Sequence, residues 1–252
     1  KVHEDVQFKV ERVICKKEEV DEKIREFVRP FDLSEAPLIR AEIIEISEDE
    51  YILIYDMHHI VSDGRSMDIF TDEFNQLIWE QKLPELRIQY KDFAEWQKKQ
   101  FESGILKKQE GYWLEKFSGE IPVINLPLDF PRPAIQEFNG SKVKFEVDSK
   151  LMQKLKTLAT ETGSTVYMVL LAIFTVLMSK YSGQEDIIIG SPIAGRHHTD
   201  LDRIMGMFVN TLAMRNYPSA YKTFKEFLME VKENALSAYD NQDYPFEELV
   251  EK

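Results

Sequence analysis

Residues 51–66 read YILIYDMHHIVSDGRS. The run from Tyr51 to Met57 is rich in aromatic and β-branched residues and holds no Gly or Pro, so it predicts a strand. Tyr51, Leu53, Tyr55 and Met57 fall on one alternating face, and Ile52 and Ile54 on the other. A strand apolar on both faces predicts a central, buried position. Just beyond, Met67, Phe70, Phe74, Leu77 and Ile78 recur at helical spacing and predict a helix over 65–79. Between the two stand His58, His59, Asp63 and Gly64. A fold that accepts this stretch must end a buried strand on a histidine doublet and open a helix at an Asp-Gly pair.

Each of these residues has an ordinary structural explanation. Asp63 fits an N-cap, Gly64 fits a turn, and a lone histidine is most often a satisfied core residue. The doublet weighs against that reading for both histidines at once. Neighbours on a strand point to opposite faces, so His58 and His59 cannot share one job. One props the local structure and the other faces a cavity. An imidazole is the side chain best suited to moving a proton near neutral pH.

Composition narrows the functional classes. The net charge of -13 over 252 residues, with no segment resembling a basic face, argues against a nucleic-acid partner. A hydrophobic share of 43% is ample for a packed core, and 31% charged residues suit a solvated surface. Cys15 is the only cysteine, so no intramolecular disulfide forms, which fits a reducing, cytoplasmic compartment. The longest apolar run, Val166 to Met178, falls short of the ~20 residues that span a bilayer and reads as a helix buried on all sides. No signal peptide is visible. The chain opens on KVHEDVQFKV without a methionine and stops inside ELVEK, so both ends read as cut from something longer.

Strands are predicted over Val6–Val13, Leu38–Ile46, Lys142–Val147, Asp186–Gly190 and Phe208–Arg215. The turn Ser47-Glu48-Asp49-Glu50 makes 38–46 and 51–57 a hairpin. Helices are predicted over Glu18–Val28, Tyr90–Phe101, Ile105–Phe117, Ser149–Glu161, 165–181, Leu201–Met205 and Phe224–Tyr239. Four of the ten prolines fall between Pro122 and Pro133, a stiff extended stretch. It divides the chain into an N-terminal subdomain (1–120), a proline-rich crossing (121–140) and a C-terminal subdomain (141–252). Strand and helix alternate in both halves, an α/β pattern.

Four blocks carry a family resemblance. MHHIVSDGRS (57–66) resembles the HHxxxDG signature of condensation domains of nonribosomal peptide synthetases. YKDFAEW (90–96) is similar to that family's YxDYAxW motif. IGSPIAGR (189–196) with GMFVNT (206–211) is similar to IGxPxAGR…GxFVNT, and NQDYPFEELV (241–250) to HQDxPFExLV. HHxxxDG alone is moderately specific, since other acyltransferases share HxxxD, whereas four blocks in order are highly specific. The family's RHExLR-like block before the doublet and its RNP-type block after PFE are absent from this sequence. Asn241 stands where His is usual, and Arg65 where Trp or a small residue is common.

The resemblance implies a chloramphenicol-acetyltransferase-like fold, truncated at both ends, with two related α/β halves in a V around a tunnel. It implies amide bond formation between a donor acyl or peptidyl thioester and the amine of an acceptor aminoacyl thioester. No cofactor is bound covalently, and both substrates arrive on the 4'-phosphopantetheine arms of upstream and downstream peptidyl carrier proteins, beside an adenylation domain. His59 is expected to act as a base or as a positioning group, with Gly64 bringing a backbone N–H to the oxyanion. His58 is expected to be structural. Asp63 is expected to pair bidentately with Arg196 across the subdomain interface. Asn210 is expected to line the tunnel. An epimerisation-type or free-standing acyltransferase of the same fold, and a non-catalytic docking platform, stand as alternatives.

Other residues carry weaker claims. His197, His198 and Asp200 cluster, but adjacent histidines chelate one ion poorly and no metal-site spacing is present. Tyr90, Phe93 and Trp96 read as helix packing. Ser62 and Ser66 have no base arranged to activate a serine nucleophile.

Overall fold

β1 (Val10–Ile14) runs parallel to β2 (Ile39–Ser47), and β2 pairs antiparallel with β3 (Glu50–Met57). These strands belong to a computed structural model that describes residues 6–135 and 140–252. The hairpin forms as the alternation requires, with Ile44 opposite Ile52 and Ile43 opposite Leu53. One face of the sheet carries Ile44, Ile46, Ile52 and Ile54, which pack with Cys15 and with Val20 and Ile24 of α1 (Val20–Phe27). The other face carries Tyr55, whose ring centroid lies 4.6 Å from that of Phe70 on α2 (Gly64–Ile78). α3 (Tyr90–Glu102) follows.

β3 differs from the expected buried central strand. It lies at the edge of the described sheet, with β2 in the middle, and none of its residues is fully buried. The physical reason is that apolar residues on both faces demand cover above and below. α1 and α2 provide that cover, and the pattern says nothing about neighbours along the sheet.

The chain divides into two compact units. Ala194–Val209 belongs with the residues up to Ser103, and Gly104–Ile193 with Asn210 onward. These bounds differ from the expected division at 120 and 141. Leu106 and Trp113 are buried in the core of the second unit, so α4 (Lys107–Lys116) belongs there. Leu201, Ile204 and Phe208 are buried with Phe93 in the first. The proline-rich stretch marks a change of chain texture rather than a packing boundary.

The second unit continues with α5 (Ser149–Thr162), α6 (Val166–Ser182), β4 (Ile187–Ile193), β5 (Asn210–Asn216), α7 (Phe224–Asp240) and α8 (Phe246–Glu251). β4 and β5 pair antiparallel. Val169, Ala172, Leu212, Leu228, Val231 and Ala235 form a core with no exposed surface. The helix ends follow local chemistry. Asp148 and Thr165 cap the N-termini of α5 and α6, while Gly163 and Gly183 close them with positive φ. Thr223 and Glu226 form a capping box on α7.

Three further expectations are corrected. α6 is buried on one side only, because Leu170, Ile173, Phe174, Leu177 and Tyr181 are exposed. Its neighbours α5, α7 and β4 cover only part of its circumference. Lys142–Val147 is not a strand. Val143 and Phe145 are exposed, and no described strand offers this segment a ladder. The helix expected over Leu201–Met205 is a single 3-10 turn at Thr199–Leu201. The stretch 121–133 lacks regular structure, as its prolines require, and is tied down where Gln184 Nε2 donates to Val123 O. The part of the crossing at 136–139 lies outside the described residues. No single helix among the described residues is long and apolar enough to cross a membrane.

Candidate functional site

The site is built where β3 stops. His58 leaves the strand with its N–H donating to Leu38 O at 3.0 Å. Its Nδ1 accepts from Ile60 N at 3.0 Å, capping a 3-10 turn over His59–Val61, and its ring meets Phe31 edge-on. His58 is thereby engaged in local structure. His59 is exposed, and among the described residues its ring makes no hydrogen bond. Both histidines border a surface cleft of about 520 Å³, which Phe31, Leu33 and Met57 also line.

Asp63 ends the turn as the N-cap of α2. Its Oδ1 accepts from Ser66 N at 2.7 Å and from Ser66 Oγ at 2.7 Å. It is also half of a buried ion pair. Arg196 Nη2 lies 3.0 Å from Oδ1 and 3.2 Å from Oδ2, and the two side chains are 4% and 1% exposed for Arg196 and Asp63. The capping and pairing readings of Asp63 therefore both hold.

Two details differ from the expected geometry. The pair is not a two-nitrogen fork, because Arg196 Nη1 is committed to the carbonyls of Leu201 and Ile204, both at 2.6 Å. Nor does the pair bridge two units, since Ala194–Val209 packs in the same unit as Asp63. The guanidinium also lies 4.0 Å above the Phe208 ring.

Electrostatics favour the ionised carboxylate. Burial pushes the Asp63 carboxyl upward. Hydrogen bonds from the Ser66 hydroxyl, Ser66 N–H and Phe208 N–H outweigh that effect together with the Arg196 charge, and they hold the group below the usual carboxylate range. Tyr90 stands nearby, its phenol pushed up by burial and then by the Asp63 charge.

Gly64 is the first residue of α2, and its φ is not in the left-handed region, so a turn does not account for it. A Cβ built there meets nothing within 4 Å. The space that a side chain at Gly64 would fill is open.

Several participants escaped the sequence reading. Ser66 is fully buried, and its hydroxyl contacts Gly206 N at 2.9 Å and Gly206 O at 3.0 Å as well as Asp63. Phe208 N donates to Asp63 Oδ2 at 3.2 Å. Tyr90 packs against Phe208 and also donates its hydroxyl to Met207 O at 2.8 Å. The only local signal was the serine three residues after the capping aspartate.

Asn210 belongs to the second unit and is not a free lining group. Its Nδ2 donates to Gln242 O and Tyr244 O, both at 2.9 Å, and its Oδ1 accepts from Thr211 N and Phe246 N. All its amide atoms are spent clasping the turn before α8. His198 Nδ1 accepts from Asp200 N at 3.2 Å as a local cap. Among the described residues, no group of three or more His, Cys, Asp or Glu side chains is placed to hold a metal ion.

The structure thus places a buried Asp63–Arg196 pair and, four residues before the aspartate, an exposed histidine on a mixed α/β scaffold. The condensation-domain family model matches residues 1–252, and the chain belongs to that family. It is 56% identical to gramicidin S synthase 2 of Aneurinibacillus migulanus over 252 residues, which is all of this chain and 6% of that protein. The chain thus spans a small fraction of the curated relatives it matches. Its fold matches the X-domain from teicoplanin biosynthesis, seen in complex with OxyB, with a TM-score of 0.91 at 24% identity, covering 100% of this chain and 58% of that one. It also matches a holo four-domain nonribosomal peptide synthetase bound to AMP and glycine. That TM-score is 0.84 at 26% identity, covering 98% of this chain and 19% of that one.

Proposed function

We propose that this chain is the motif-bearing part of a condensation domain that joins two tethered substrates through an amide bond. The donor is an acyl or peptidyl thioester and the acceptor an aminoacyl thioester. Each rides on the 4'-phosphopantetheine of a carrier protein, one upstream and one downstream, in a module with an adenylation domain. The observation that supports this reading most is the exposed His59 on a turn that ends at the buried Asp63–Arg196 pair, in a chain of this family. A cytoplasmic setting suits a chain whose single cysteine, Cys15, is buried and unpaired.

The chemistry follows from the groups. The acceptor nitrogen attacks the thioester carbonyl, a C–N bond forms, the C–S bond breaks, and the departing sulfur gains the proton that the nitrogen loses. An α-amine of ordinary pKa near ~8 is partly neutral at neutral pH and so is nucleophilic. His59 accepts the proton that becomes acidic as the nitrogen attacks, or orients the amine by hydrogen bonding. Gly64, the first residue of α2, has no side chain to obstruct approach and offers its backbone N–H to the developing oxyanion. His58, Asp63 and Arg196 support the turn that carries His59. Asn210 clasps the second unit.

Incubating the full-length protein with a loaded donor carrier and a loaded acceptor carrier tests the reaction class. Amide product on the acceptor carrier is the expected result. Inverted donor stereochemistry without amide, or carrier binding without turnover, contradicts it.

A further inference from the structure

We infer that Ser66 is the positioning residue for His59, an inference that rests on the role of His59 given above. Ser66 lies in α2 and has no exposed surface. Its hydroxyl sits 2.7 Å from Asp63 Oδ1, 2.9 Å from Gly206 N, 3.0 Å from Gly206 O and 3.4 Å from Arg196 Nη2. A hydroxyl has one proton to give. The nearer, charged acceptor is the Asp63 carboxylate, so the proton goes there and the oxygen accepts from the Gly206 N–H. The hydroxyl thus joins the start of α2 to a segment 140 residues away.

That segment cannot re-seat itself. A Cβ on Gly206 would lie 2.1 Å from the Tyr90 ring, so the Gly206 backbone is pressed against Tyr90. Asp63 holds the same segment once more through Phe208 N. Removing the Ser66 hydroxyl strips one of these two ties and leaves the Gly206 N–H unpaired in a buried place.

The consequence reaches His59 through the backbone. Its ring makes no hydrogen bond among the described residues, so its aim is set by the turn that carries it. That turn hangs between two anchors, His58 N on Leu38 O at one end and Asp63 at the other. Loosening the Asp63 anchor widens the range of ring orientations. A misplacement of about 1 Å at a reacting group costs as much as ~10²-fold in rate. Ser66 is fully buried and touches no substrate, so the effect falls on kcat and spares KM.

A double-mutant cycle on the full-length protein, with loaded donor and acceptor carriers, tests this. Wild type, Ser66→Ala, His59→Ala and the double variant are compared for kcat and KM. Ser66→Ala is expected to lower kcat about tenfold or more with KM unchanged, and to cost nothing further once His59 is alanine. Ser66→Thr, which keeps the hydroxyl, is expected to recover part of the loss. If Ser66→Ala does not fold, Ser66→Cys, with similar size and a weak donor, takes its place and is read the same way. Equal losses in both backgrounds, a rise in KM alone, or an unchanged kcat overturn the inference. A His59→Ala protein as fast as wild type overturns the reading of His59 and this inference with it. A slow His59→Ala beside an unaffected Ser66→Ala overturns this inference alone.

Discussion

Arg196 Nη2 lies 3.0 Å and 3.2 Å from the two carboxylate oxygens of Asp63, although the residues are 133 positions apart in the chain. One nitrogen serves both oxygens because the other is held by two backbone carbonyls. The aspartate is meanwhile the N-cap of the helix that follows the His59 turn. A single carboxylate therefore starts a helix, neutralises a buried cation and ends the turn bearing the candidate catalytic group.

Breaking this pair from either side leaves an uncompensated buried charge. Asp63→Ala and Arg196→Ala should each destabilise the protein by about 3–5 kcal/mol. The double variant should lose less than the two single losses combined, since neither charge is then stranded. Chemical denaturation of the four proteins measures this. A folded Asp63→Ala protein with the wild-type midpoint contradicts the arrangement.

The depressed Asp63 carboxyl gives stability a pH dependence of definite sign. Its folded pKa lies below its unfolded value, so the unfolded chain binds the proton first as pH falls. The stabilisation is fully present above the unfolded value, about pH 4. It fades as pH falls from there through the folded value. In denaturation midpoints measured from about pH 6 to about pH 3, the gap between wild type and Asp63→Asn should narrow at the acid end. A gap that stays constant through this window contradicts the assignment.

Three glycines should respond differently to alanine. At Gly195, φ is +64° and a Cβ would lie 1.9 Å from Phe208 O, so Gly195→Ala should cost well over ~1 kcal/mol. Gly206→Ala drives a methyl into the Tyr90 ring and should also destabilise, by about 1–3 kcal/mol. At Gly64 a Cβ meets nothing within 4 Å, so Gly64→Ala should leave stability within about 0.5 kcal/mol. Under the proposed function it should still slow turnover, because the methyl stands beside the Gly64 N–H that the oxyanion would approach. Melting points paired with condensation rates separate the three.

Asn210→Ala should destabilise the second unit by about 2–4 kcal/mol, because two carbonyls and two N–H groups lose their partner together. Asn210→Asp should fare no better, since a carboxylate oxygen would face the carbonyls of Gln242 and Tyr244. Hydrogen exchange at the amides of Thr211 and Phe246 reports the loss directly.

Much of the scaffold was legible because local chemistry set it. Asp148, Gly163, Thr165, Gly183 and the Thr223–Glu226 box place the ends of α5, α6 and α7 within a residue or two of expectation. The hairpin of β2 and β3 was legible from alternation. What failed depends on neighbours. Val143-Lys144-Phe145-Glu146-Val147 alternates like a strand, but a strand exists only beside a ladder partner, and none of the described strands supplies one. Face patterns report cover rather than strand order, so the apolar faces of β3 do not reveal that it lies at the edge of the described sheet.

The candidate site shows the same division. His58, His59, Asp63 and Gly64 were visible in one short stretch. Arg196 was visible only through the family resemblance, since no periodicity links residues so far apart. Ser66 was missed because its partner is the Gly206 backbone, and backbone groups leave no mark in a sequence.

The most direct measurement is the single-turnover rate of amide formation between loaded donor and acceptor carriers, for wild type and His59→Ala in the full-length protein. The account predicts that His59→Ala folds as wild type does, because the His59 ring makes no hydrogen bond among the described residues, and that its rate falls at least about a hundredfold. Equal rates from the two proteins would contradict it.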